Sequence, residues 1–144
     1  MIIMVIQGTD GNDKNKVLSQ LNDLKGEFGV AGVVTINVQH IADPQQRVEH
    51  LKRMIHRRRG VVNVIDGATS EPELTFLRQL GASFFTLCRS VLPASLLKIK
   101  NAIMPFDKLI VPYAERRGIE SDVLYPDEAF SVCFLRHRRC QQAA

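Results

Sequence analysis

The sequence predicts an α/β protein whose parallel sheet, of about five strands, is covered by helices. Three observations lead there. Short runs rich in β-branched residues recur along the chain and are apolar on both faces, as strands buried between two helix layers are. Segments of helical periodicity separate them. Glycine, proline and Asx residues punctuate the boundaries, with no linker, internal repeat or low-complexity tract, so the 144 residues read as one domain around one core.

The first strand is Ile2–Gln7, a continuous apolar run. Lys14–Lys25 reads as a helix because Val17, Leu18, Leu21 and Leu24 fall on one face, and Gly26 stops it. Val30–Val38 is a second strand. Asp43-Pro44-Gln45-Gln46 then opens a helix with an acid at the N-cap, proline at the first position and glutamine three residues after the cap. Its apolar face is Val48, Leu51 and Ile55, and Gly60 is its expected stop. Val61–Ile65 is a third strand and ends at Asp66.

Ser70-Glu71-Pro72-Glu73 repeats the capping pattern, ahead of a stripe of Leu74, Leu77 and Leu80 that closes at Gly81. Ser83–Cys88 is a fourth strand. A short helix around Ala94–Ile103 leads to Lys108–Val111, expected to be the last strand. Pro126–His137 should close the chain as a helix with Phe130, Cys133 and Phe134 turned inward.

Composition narrows the function classes. Hydrophobic residues at 45% and charged residues at 24% are those of an ordinary globular chain. No apolar run approaches the roughly 18 residues of a membrane span, and Met1–Ile6 lacks the length and basic flank of a secretory signal. Cys88, Cys133 and Cys140 form no C-x-x-C pair and share no ligand spacing with His40, His50, His56 or His137. The expectation is therefore no metal site, and reduced thiols in a cytoplasm. A net charge of +4 permits contact with phosphates or nucleic acid without requiring it.

The strand-turn-helix at Met1–Val17 carries the most chemistry. Gly8, Gly11 and Lys14 stand where the pattern G-x-x-x-x-G-K-[ST] places its first glycine, a loop glycine and its lysine. Asp13 stands in place of the second glycine, and Asn15 in place of the magnesium-binding hydroxyl. In an intact loop, backbone N–H groups and a helix N-terminus converge on phosphate oxygens. The Asp13 carboxylate repels a triphosphate, and at a helix start it is expected to cap free N–H groups itself, filling the anion site with the protein's own charge.

The segment IQGTDGNDKNKV is similar to the G-x-D-G-x-G-K-[ST] loop of thymidylate kinases and related deoxynucleoside monophosphate kinases, including its Asp10-Gly11 pair. Val61–Ser90 resembles the middle of the small phage-type members: a strand ending in an aspartate, a loop leading to an acid, a helix ending in Leu-Gly, and a strand leading to an arginine. Asp66, Glu71 or Glu73, Leu80-Gly81 and Arg89 fill those places, with weaker agreement at Asp107–Val111. The resemblance covers about a third of the chain. It implies a P-loop kinase-like fold, a phage or similar small genome, and a homodimer. Its nucleotide would lie on Gly8, Thr9, Asp10, Gly11, Asn12, Asp13, Lys14, Asn15 and Arg89, with ATP and Mg²⁺ as cofactors held weakly or not at all. Lys14 would stabilise phosphate charge, Asp10 would lie near the acceptor and Asp66 would help place magnesium. Two residues after that aspartate, where the family carries arginine, the chain has Ala68.

Basic residues gather at Lys52, Arg53, His56 and Arg57–Arg59, and again at Arg136–Arg139, each read as a solvated helix end or a phosphate contact. Three functions stay open. The lost glycine, hydroxyl and arginine put first a degenerate kinase-like module that binds or regulates, through a protein partner the sequence does not identify. The second is an active deoxynucleoside monophosphate kinase, and the third a nucleic-acid-binding protein using its basic helix ends.

Overall fold

A computed structural model describes residues 1–8, 11–26, 30–87, 94–99, 102–113 and 123–143. Thr9, Asp10, Cys88, Arg89 and the side chain of Cys140 lie outside the described residues. The chain runs β1 (Ile2–Gln7), α1 (Asn12–Asn22), β2 (Gly32–Asn37), α2 (Pro44–Met54), β3 (Val61–Asp66), α3 (Glu71–Gln79), β4 (Ser83–Leu87), α4 (Ala94–Leu97), β5 (Lys108–Ile110), β6 (Val123–Leu124) and α5 (Pro126–Ala143). The sheet has six strands rather than about five, in the order β2-β3-β1-β4-β5-β6, and each neighbouring pair is parallel.

The extra strand is β6, whose Val123 and Leu124 pair with Leu109 and Ile110. Two residues are too few to show any period, so the sequence alone made β5 the last strand. Other departures lie at element ends. The helix α1 begins at Asn12 rather than Lys14, α4 stops at Leu97, and α5 runs on to Ala143.

The end of α2 has an identifiable cause. Gly60 was the expected stop, but the helix ends at Met54 and Ile55 turns extended. Buried Asn63 in β3 accepts from His56 N at 2.8 Å and donates to His56 O at 2.9 Å and to Ile2 O at 3.2 Å. That side chain holds residues 55–60 as a loop against the sheet, because a buried amide must satisfy its donors and acceptor.

Alternation along the strands builds two cores. On one face Ile2, Met4, Ile6, Val62, Val64, Phe85 and Leu87 meet Val17, Leu21 and Leu24 of the α1 region and Phe130 and Cys133 of α5. On the other, Ile3, Val5, Ile65 and Phe84 meet Leu51 of α2, Leu74 and Leu77 of α3 and Leu96 of α4. Among the described helical connections between strands, only the one leaving β1 goes to the α1 face. Those leaving β2, β3 and β4 go to the opposite face, as right-handed crossovers in this strand order require. The carboxyl end of β1 is therefore the topological switch point, where the loops diverge and leave a crevice.

Two buried ion pairs fix the connections. Arg78 of α3 grips Asp107 with two bonds of 2.7 and 2.6 Å, and its guanidinium lies 3.5 Å from the centre of the Phe84 ring. Arg47 of α2 meets Glu73 of α3 at 2.9 Å and also donates to Gln39 O, Ile41 O and Thr69 Oγ1. It thereby joins the loops that follow β2 and β3. No helix among the described residues is long and apolar enough to cross a membrane.

Candidate functional site

The switch point holds the residues singled out in the sequence. Gly8 ends β1 with φ +152°, and a Cβ there would come within 2.7 Å of Leu87 Cδ1. The chain can turn so close to β4 only because that position has no side chain. Gly11 is the N-cap of α1 and accepts from Asn15 N at 3.1 Å. Lys14 falls in the first turn, on the inward face.

There the Lys14 ammonium lies 2.5 Å from Asp66 Oδ1, with the two residues only 4% and 6% exposed. Lys14 also donates to Gly8 O at 3.4 Å. The register places Asp66 beside Ile6, at the carboxyl end of β3, so the pair bridges the mouths of β1 and β3. The other carboxylate oxygen, Oδ2, accepts from Asn37 Nδ2 at 3.1 Å, and Asn37 Oδ1 accepts from Gln39 N at 2.8 Å. Behind them Gly67, at φ +82°, lets the β3 loop close on Gln39; a Cβ would approach its side chain to 2.8 Å. The result is a buried cation and carboxylate held from three elements.

Asp13 corrects an expectation. It does not cap α1, whose N-terminus has no side-chain cap; the carboxylate is exposed and makes no hydrogen bond among the described residues. Among the described residues the first-turn N–H groups have no side-chain cap, because Asp13 is already inside the helix, beyond the N-cap position from which a carboxylate reaches them. Asn12 and Asn15 are likewise exposed.

The described residues do not fit a magnesium ion. Asp66 spends one oxygen on Lys14 and the other on Asn37, and exposed Asn15 replaces the hydroxyl of the motif. Among the described residues no group of three His, Cys, Asp or Glu side chains could hold a metal.

Sequence reading missed Asn37, which only the β2–β3 register reveals as the second partner of Asp66. It also missed Gln7, buried at the end of β1, which donates to Ala102 O at 2.9 Å while its Oε1 takes no hydrogen bond among the described residues. Glu73 is the acid resemblance offered beside Glu71, but its role is structural: its Oε1 accepts from Thr69 N, Ser70 N, Ser70 Oγ and Arg47.

Cys133 is no nucleophile. Burial pushes its thiol from 9.0 to about 11, against smaller opposing effects of a hydrogen bond with Ser83 and the charge of Arg136. A raised acid pKa contributes stability that is complete below 9.0 and is lost as pH rises toward 11. Cys133 should therefore escape alkylation by iodoacetamide at pH 8 in the native protein and become labelled on unfolding, as peptide mass spectrometry would read. Comparison of the chain with family models, with curated proteins and with solved structures gave no match.

Proposed function

We propose that the chain is a P-loop kinase-like module that binds the phosphates of a nucleotide between the N-terminus of α1 and the Lys14–Asp66 pair, without efficient phosphoryl transfer. The observation that carries this reading is the buried Lys14 ammonium at the switch point, 2.5 Å from Asp66 and beside N–H groups that no described side chain caps. A buried lysine is costly unless a charge answers it. Here Asp66 answers it in the free protein, and a phosphate oxygen would share that role in the complex.

Impaired transfer follows from the same geometry. Phosphoryl transfer rests on positioning and on neutralising charge across the β- and γ-phosphates. Asp66 already compensates Lys14, and the residues that should hold magnesium are engaged or replaced. The outward turn of Asp13 favours a second reading, an active deoxynucleoside monophosphate kinase, because its carboxylate does not itself occupy the helix N-terminus, where an anion would bind.

Calorimetric titration with ATP tests both. Binding that persists in EDTA, with no ADP formed in magnesium, supports the module; ADP formation with a deoxynucleotide acceptor supports the kinase. Absence of binding retires the site. Asp13→Gly should tighten ATP binding roughly tenfold, since removing an exposed like charge near phosphate is worth about 1 kcal/mol per charge at 4 Å in water. Unchanged affinity in that variant would mean that the phosphates do not lie against the first turn of α1.

A further inference from the structure

The two arginine clusters, far apart in sequence, meet at the amino end of the sheet, opposite the nucleotide site. Arg57, Arg58 and Arg59 are exposed in the loop that enters β3, with Val61 N bonded to Arg58 O. Helix α5 runs down the other face and brings Arg136 to the start of β4, where it donates to Ser83 Oγ at 3.1 Å and Ala82 O at 3.5 Å. Arg138 and Arg139 follow, both exposed. The starts of β3 and β4 are separated by two strand spacings, about 10 Å. The clusters thus act within one screening length of each other.

None of Arg57, Arg58, Arg59, Arg136, Arg138 and Arg139 forms an ion pair with a described carboxylate. Among the described residues, the carboxylates at this end are Asp23, exposed after α1, and Asp107, buried against Arg78. A cleft of about 190 Å³ opens beside Arg136, lined in part by Met1, Gly81, Ser83 and His137. Burial first, then the positive charges of the Met1 amine and Arg59, lower the pKa of His137. Arg59 is near enough for its charge to be felt at His137, and among the described residues no carboxylate forms an ion pair with the arginines of either cluster.

One exposed aromatic ring stands at the same end of the sheet, its centre 5.6 Å from the Arg78 guanidinium. Phe106, in the turn that enters β5, is 64% exposed at the same end of the sheet, a further strand spacing along, and Lys108 beside it is exposed too. Guanidinium groups suit phosphate as planar, two-pronged donors. An exposed ring beside a cationic track gives an unpaired base a surface to stack on.

We propose that the amino end of the sheet, from Arg57–Arg59 across Arg136–Arg139 to Phe106, binds single-stranded nucleic acid through its phosphate backbone and at least one stacked base. This surface is separate from the site of Lys14 and does not depend on the reading given to it.

Fluorescence anisotropy of the full chain with a labelled single strand of about 20 nucleotides, titrated between about 50 and 300 mM NaCl, tests the proposal. Each phosphate neutralised contributes about −0.7 to the slope of log affinity against log salt on a single strand, so four contacts give about −3. Changing Arg57, Arg58 and Arg59 together to glutamine should weaken binding at least tenfold at 100 mM NaCl and flatten the slope. Arg138→Gln with Arg139→Gln should act in the same direction. Phe106→Ala should weaken binding about fivefold or more and leave the slope unchanged, the mark of a lost stacking contact. All these side chains are exposed, and circular dichroism checks that each variant folds. Saturating ATP should not displace the strand. No binding at 50 mM NaCl, arginine variants that bind like the parent, displacement by ATP, tighter binding of a duplex, or binding of phosphatidylserine vesicles in place of the oligonucleotide would each overturn the proposal.

Discussion

Lys14→Met is expected to lower the unfolding free energy by about 3–5 kcal/mol and to abolish ATP binding. The stability loss comes from what remains. Asp66 is 6% exposed, and without Lys14 its carboxylate keeps, among the described residues, only the Asn37 amide as a side-chain donor. Removing one partner of a buried pair leaves an uncompensated charge, which costs far more than the net worth of the pair. Urea denaturation measures the first effect and calorimetry the second. Replacing both partners, Lys14→Met with Asp66→Leu, should recover most of the stability, because a buried ion pair is often no better than apolar groups of similar volume. Binding should stay lost, since the cation proposed to meet the phosphate is gone. A double variant that binds ATP normally would show that Lys14 is there for the fold alone.

Glu73→Ala should be comparably severe, about 3–5 kcal/mol, or roughly 10 °C in Tm. Glu73 is fully buried at 0% exposure, and one of its oxygens collects Thr69 N, Ser70 N, Ser70 Oγ and Arg47. Alanine would orphan the two backbone donors and leave the Arg47 guanidinium short of its carboxylate. The loops that follow Asn37 and Asp66, the last residues of β2 and β3, would loosen with it, so the proposed ATP binding should weaken along with stability. Glu73→Gln keeps the shape and one acceptor, and should cost about 1–3 kcal/mol. A loss below 1 kcal/mol for alanine, read by thermal denaturation, would mean that water takes over these bonds and that the box does not hold the loops.

Local signals carried most of the element reading. The caps at Asp43 and at Ser70–Glu73 were legible because they act over three residues: Asp43 accepts from Gln45 N at 3.1 Å, and Glu73 from Ser70 N at 2.6 Å. The apolar stripes of α1, α2 and α3 were legible for the same reason, a fixed period of side chains on one face. Where a distant residue decides, the sequence was silent. Asn63 ends α2 from the next strand, and Arg47 reaches Glu73 from a different helix. Asp13 was misread because its effect depends on whether the helix begins before or after it, a matter of two residues.

By itself the sequence determined the alternation of strands and helices, the parallel sheet with two covered faces, and a strand-turn-helix bearing Gly8 and Lys14. These follow from backbone sterics and from the period of apolar residues, which act within a few positions of the chain. Only the tertiary structure decided that Lys14 is paired with Asp66 and that Asn37 completes the set. It alone brought the arginines of two distant segments to one end of the sheet. Those outcomes depend on strand order and register, and both are set by which distant faces can be buried together at once.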